Sequence, residues 1–128
     1  MTRDGDRPYN RFVVIHSSEA HNGIVVIKLT GRLVFDESLF TLRPKIRELL
    51  ESGIKAIVFD LGGVPHCDSS GCGEIIGAYT TIRKGNAAVA FVNLTPRVLI
   101  LLERINITKI LDIFDTLAEA ESFLATLP

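Results

Sequence analysis

The sequence predicts an α/β domain built on a mixed, mostly parallel sheet. Three features carry that reading. Two strand-like runs stand at the front, residues 11–16 and 24–30, with a turn between them. Short and nearly continuous apolar runs follow at 55–60 and 87–92, the pattern of interior strands covered on both faces. Segments of helical period separate those runs, and strand–helix alternation at this spacing gives right-handed crossovers and parallel pairing. The chain has 128 residues, 47% hydrophobic and 23% charged, which suits one domain with a core of its own. Residues 1–10 read as a polar N-terminal arm and 11–128 as the domain.

Taken in order, Asn22-Gly23 is the strongest local turn signal, so the first two strands form an antiparallel hairpin. Lys28 gives the second strand one wet face. Gly31 closes the hairpin, and Arg32, Leu33 and Val34 extend it. Leu39, Leu42, Ile46, Leu49 and Leu50 recur at helical spacing. Pro44 inside that run calls for a helix starting near Leu42, or for a kink. Residues 61–65, with Gly62-Gly63 and Pro65, read as a loop. A second helix follows Gly71 and stops at Lys84-Gly85-Asn86. Thr95-Pro96 supplies an N-cap and a proline at the first helical position of a third helix. Residues 110–114 read as a short strand, and Thr116-x-x-Glu119 is a capping box opening the last helix.

Fourteen basic residues against fifteen acidic ones give a formal charge of −1, which lacks the basic field of a nucleic-acid binder. No apolar run reaches the roughly 18 residues of a membrane span, and no secretory h-region opens the chain. The expectation is a cytoplasmic protein without cofactor. Cys67 and Cys72 are too few for a closed zinc site and read as small packing thiols. His66-Cys67 begins a cysteine-phosphatase loop, but Gly73 stands where the phosphate-clamping arginine belongs. Cys72 lies just inside a helix start, a position that can lower a thiol pKa, but nothing in the sequence supplies it with a base or a second catalytic group.

The segment from His66 to Gly73 departs from ordinary packing. It places an acid, two hydroxyls and two glycines, Asp68-Ser69-Ser70-Gly71 and Gly73, between an interior strand and a helix. In open α/β sheets this junction lies beyond the carboxyl ends of the strands, where ligands and partners meet the fold. One reading is a helix N-cap with close backbone packing. Phosphate-cradling glycine loops and the hydrolase elbow do not match. The remaining reading is a serine that accepts a phosphate at a helix N-terminus, where backbone amides and the dipole favour negative charge. A docking partner would then meet a group of about −1.5 to −2 charges.

With Asp68-Ser69-Ser70-Gly71 leading into a helix, the chain resembles the STAS domain family, and within it the anti-sigma factor antagonists. Gly31-Arg32-Leu33 matches the family's Gly-x-Leu after the second strand, residues 57–61 match the strand before the motif, and 91–96 match the later strand and helix start. The resemblance runs from about Phe12 to about Leu124. It departs at Val34, where an acidic residue is common, with Asp36 and Glu37 nearby. It departs also at Cys67 and Cys72, where apolar residues are common. It implies a mixed sheet of four or five strands with about four helices. It also implies a non-enzymatic regulator that binds an anti-sigma factor serine kinase through Asp68, Ser69, Ser70 and Gly71. That kinase phosphorylates the serine immediately before the glycine, Ser70 here, and releases it; a PP2C-type phosphatase restores binding. Two alternatives stand beside this: a non-phosphorylated STAS subunit of a transporter or multiprotein complex, and a small cysteine enzyme using Cys67 or Cys72.

Overall fold

A computed structural model describes residues 13–18, 22–34 and 41–127. The expected arm over 1–10 lies outside the described residues, as do Arg11, Phe12, Asp36, Glu37 and Leu39. The elements run β1 (Val13–Ser17), β2 (Ile24–Gly31), α1 (Leu42–Glu51), β3 (Ala56–Gly63), α2 (Ser69–Lys84), β4 (Ala88–Val92), α3 (Pro96–Arg104), β5 (Ile113–Phe114) and α4 (Leu117–Ala125). Among the described residues the strands form one sheet in the order β1-β2-β3-β4-β5. β1 pairs antiparallel with β2, Val13 opposite Gly31, and the other pairs are parallel. This is the mixed, mostly parallel sheet that the alternation predicts.

Burial follows the pattern of each strand. In β2, Val25, Ile27 and Leu29 are buried while Lys28 is exposed. In β3, Ala56 to Phe59 are all buried, as an interior strand requires. Leu42 and Ile46 of α1, Ile75 and Ile82 of α2, and Val98 and Leu102 of α3 pack with Ile27, Leu29, Phe59 and Phe91 in one core. The Phe59 and Phe91 rings stack there at 5.4 Å. On the other face Ala120 and Leu124 of α4 pack on Ala56, Val58, Ala90 and Val92. Fully buried side chains such as Ile46 and Leu102 each contribute about 2 kcal/mol.

Several boundaries differ from expectation. α1 begins at Leu42, so Pro44 sits in the first turn, where its missing N–H costs nothing and no kink is needed. β3 continues through Leu61, Gly62 and Gly63, so the loop expected over 61–65 begins only after Gly63. The register shifts between Lys28 and Thr30, and Thr30 pairs with Gly63. A Cβ on Gly63 would meet Thr30 Cγ2 at 2.7 Å, so the glycine is there to let two strands close. α2 starts at Ser69 rather than after Gly71. At its end Asn86, with φ 63°, takes the left-handed turn while Gly85 stays at φ −82°. The strand over 110–114 shrinks to Ile113–Phe114, because Ile110 N–H turns back to Ile107 O. The Thr116–Glu119 capping box forms, with bonds of 3.1 and 3.2 Å.

Candidate functional site

β3 carries the chain to the carboxyl edge of the sheet. After Val64 and the exposed Pro65 and His66, α2 begins. Asp68 is the N-cap: its backbone is extended (φ −112°, ψ −172°), and its Oδ1 accepts from Gly71 N–H at 2.9 Å. Its carbonyl accepts the first intrahelical bond from Cys72 N–H, also 2.9 Å. Ser69, Ser70 and Gly71 are thereby the first three helical residues. Helix geometry gives the Ser69 and Ser70 amides no intrahelical acceptor, so both point to where an anion is favoured.

A neighbouring loop fixes the position of this turn. Leu33 N–H donates to His66 O at 2.9 Å, and Asp68 N–H donates to Leu33 O at 3.2 Å. The two bonds make a one-residue parallel bridge between Leu33 and Cys67. The Leu33 side chain is itself fully buried. α2 then passes so close that a Cβ on Gly71 would overlap the Leu33 carbonyl oxygen. Gly71 is therefore a packing requirement. Upstream, Gly31 holds φ 102°, which few other residues adopt. The Gly-x-Leu run that composition marks only as the end of a hairpin is thus a clasp on the loop.

The structure brings all four expected site residues into this single turn, but it grades them. Ser69 is exposed, Asp68 and Ser70 are half-buried, and Gly71 is buried. His66, Arg32 and Gly73 are exposed as well. Asp36 and Glu37, the acidic residues near Val34, lie outside the described residues.

Cys72 is 4% exposed and Cys67 is half-buried. Burial pushes both thiols above their ordinary value; for Cys67 the neighbouring Cys72 and Asp68 add to it. The expectation of a lowered pKa for Cys72 is overturned: at the helix's fourth residue, burial raises it and outweighs the lowering hydrogen bond with Cys67. A thiol held mostly protonated reacts slowly as a nucleophile at neutral pH.

Thr95 stands at the N-cap of α3 as expected, yet its side chain makes no cap bond there. Its hydroxyl instead donates to Val64 O at 2.8 Å, tying α3 to the segment leading into the site. An open depression of about 890 Å³ lies at the opposite, amino-terminal edge, lined by Ile24, Lys55, Arg83, Ala88 and Glu121 among others. Aliphatic groups and scattered single charges line it, and none of the four motif residues reaches it. No helix of the described residues is long and apolar enough to cross a membrane.

Comparison with known proteins agrees with this geometry. An anti-sigma F factor antagonist of Paenibacillus polymyxa is 29% identical over 97 residues, which cover 76% of this chain and 83% of that protein. Among solved structures, the anti-sigma factor antagonist SpoIIAA in its unphosphorylated form superposes with a TM-score of 0.73 at 21% identity, over 90% of this chain and 99% of that one. The phosphorylated form of the Bacillus cell fate determinant SpoIIAA gives 0.68 at 20%, over 86% and 98%. The murine anion transporter Slc26a9 contains a similar fold, with a TM-score of 0.75 at 14% identity over 92% of this chain and 23% of that one. The STAS domain family matches residues 17–120, from the end of β1 into α4, and the chain belongs to that family.

Proposed function

We propose that this protein is an anti-sigma factor antagonist, a cytoplasmic regulator without catalysis of its own. It docks through Asp68, Ser69, Ser70 and Gly71 onto an anti-sigma factor that is a serine kinase. Docking frees the sigma factor, and phosphorylation of the loop by that kinase ends the docking. A PP2C-type phosphatase resets the loop. The observation that carries the reading is a capped helix start, clasped by Leu33, that presents hydroxyls at the carboxyl edge of the sheet. The names borne by the Paenibacillus relative and by SpoIIAA, the latter known in unphosphorylated and phosphorylated forms, support it.

The family resemblance points to Ser70 as the acceptor. Exposure favours its neighbour, because a kinase must bring the hydroxyl to the terminal phosphate of a bound nucleotide, and Ser69 is exposed while Ser70 is half-buried. A phosphate on either serine sits at a helix N-terminus, so the fold accommodates it. The docking partner instead meets about two added negative charges beside the Asp68 carboxylate.

The test is intact mass after incubation with ATP and the cognate anti-sigma kinase. Wild type should gain one phosphoryl group, the Ser69→Ala/Ser70→Ala double variant none, and the single variants should name the acceptor. No gain in wild type, or the same gain in the double variant, overturns the reading. Replacing the acceptor by aspartate should weaken kinase binding with the circular dichroism spectrum unchanged.

A further inference from the structure

Cys67 and Cys72 bracket the Asp68–Gly71 turn, five residues apart, and their sulfurs stand 3.8 Å from each other. Neither thiol has a part in docking or phosphorylation. Each has a different relation to solvent: Cys67 is half-buried in the loop, and Cys72 is buried in the first turns of α2. Gly71 is what opens the space between them, since a Cβ there would sit 2.9 Å from Cys67 Sγ.

We propose that Cys67 and Cys72 form a modification site: two-electron oxidation joins their sulfurs in a disulfide that closes a ring around Asp68, Ser69, Ser70 and Gly71 and reshapes the first turn of α2. The oxidant class is a hydroperoxide, with hydrogen peroxide the simplest member. The half-buried Cys67 sulfur, less enclosed than that of Cys72, loses its proton and attacks the peroxide O–O bond. The sulfur becomes a sulfenic acid, and the departing hydroxide takes up the proton as water. The Cys72 sulfur then gives up its proton and attacks the Cys67 sulfur. The S–O bond breaks, and hydroxide leaves with that proton as a second water. Two thiols and one peroxide yield one disulfide and two waters, with two electrons passing from sulfur to oxygen.

Forming the bond draws the sulfurs from 3.8 Å to about 2.05 Å. Cys72 is anchored in a helix, so the loop carrying Cys67 makes most of that movement. The two bonds that define the cap, Asp68 Oδ1 to Gly71 N–H and Asp68 O to Cys72 N–H, both lie inside the ring. They are therefore the bonds that the closure strains. Burial keeps both thiols protonated at neutral pH, so the thiolate that attacks the peroxide is scarce and the pair oxidises slowly, faster as pH rises.

The test treats the full-length chain with hydrogen peroxide, quenches it, and measures intact mass and alkylatable thiols under denaturing, non-reducing conditions. The expected product has lost two hydrogens, has no alkylatable thiol, stays monomeric and returns to the dithiol with dithiothreitol. Trypsin leaves both cysteines in one peptide, residues 56–83, so backbone fragments between 67 and 72 should be missing from the oxidised peptide. Cys67→Ala and Cys72→Ala should each abolish the product, with circular dichroism reporting that they fold. Amide exchange at Gly71 and Cys72 should be about tenfold faster in the oxidised protein. Oxygen added at Cys67 without a bond to Cys72, a disulfide dimer, or two intact thiols after free cysteine is consumed overturns the site. Unchanged exchange at Gly71 and Cys72 overturns the reshaping. Neither readout requires a docking partner, so failure of the proposed function leaves both intact.

Discussion

Two helices start at the carboxyl edge of this sheet, each behind a buried parallel strand and each with a hydroxyl or carboxylate residue at the N-cap. They use that residue in opposite ways. At α2 the Asp68 carboxylate caps its own helix, and the two hydroxyls that follow make no side-chain hydrogen bond among the described residues; Ser69 faces solvent. At α3 the Thr95 hydroxyl turns away from its helix and donates to Val64 O, so the side chain joins two segments of scaffold. Proline at the first position of α3 already fixes the backbone there, and a side-chain cap is dispensable. The difference separates the proposed docking turn from a structural one. At α2 the carboxylate satisfies the cap, and the hydroxyls beside it hold no scaffold hydrogen bond among the described residues.

Substitutions at the two junctions sharpen this contrast. The largest effect should come from Gly71→Ala, whose methyl group overlaps the Leu33 carbonyl. Loss of about 3 kcal/mol in urea unfolding is expected, with phosphorylation lost as the turn is displaced. Thr95→Val should cost about 1.5 kcal/mol, since the Val64 carbonyl loses its donor, while phosphorylation proceeds at the wild-type rate. Asp68→Ala removes the cap of α2 and should cost about 1 kcal/mol, but here phosphorylation should fall together with stability. Equal phosphorylation of the Thr95 and Asp68 variants would erase the distinction between the junctions. The smallest effect on stability belongs to Ser69→Ala, within about 0.5 kcal/mol of wild type by thermal unfolding, because its exposed hydroxyl holds nothing in place.

Much of this was legible in the sequence, because it is local. The capping box at Thr116, the half-wet face announced by Lys28 and the continuous apolar runs of β3 and β4 depend on residues a few positions apart. So does the Asp68 cap. The elements misjudged were those where tertiary packing overrides local composition. Gly62-Gly63 has the composition of a turn, yet β3 runs through it because Gly63 lets Thr30 approach. The Leu33 clasp joins segments from different parts of the chain and leaves no periodic trace. Cys72 is the buried packing thiol that its composition suggests, and only the lowered pKa considered for it fails, because that burial raises the pKa.

The order of the strands has one more consequence. In doubly wound sheets a crevice opens where consecutive crossovers leave for opposite faces, and small molecules lodge in that cleft. Here each parallel strand from β2 to β5 is laid beside the last on the same side. Right-handed crossovers therefore send α1, α2 and α3 to a single face, and the strand order never reverses to open a cleft. The carboxyl edge therefore has no switch-point crevice of that kind, and the residue it exposes at the start of α2 is Ser69.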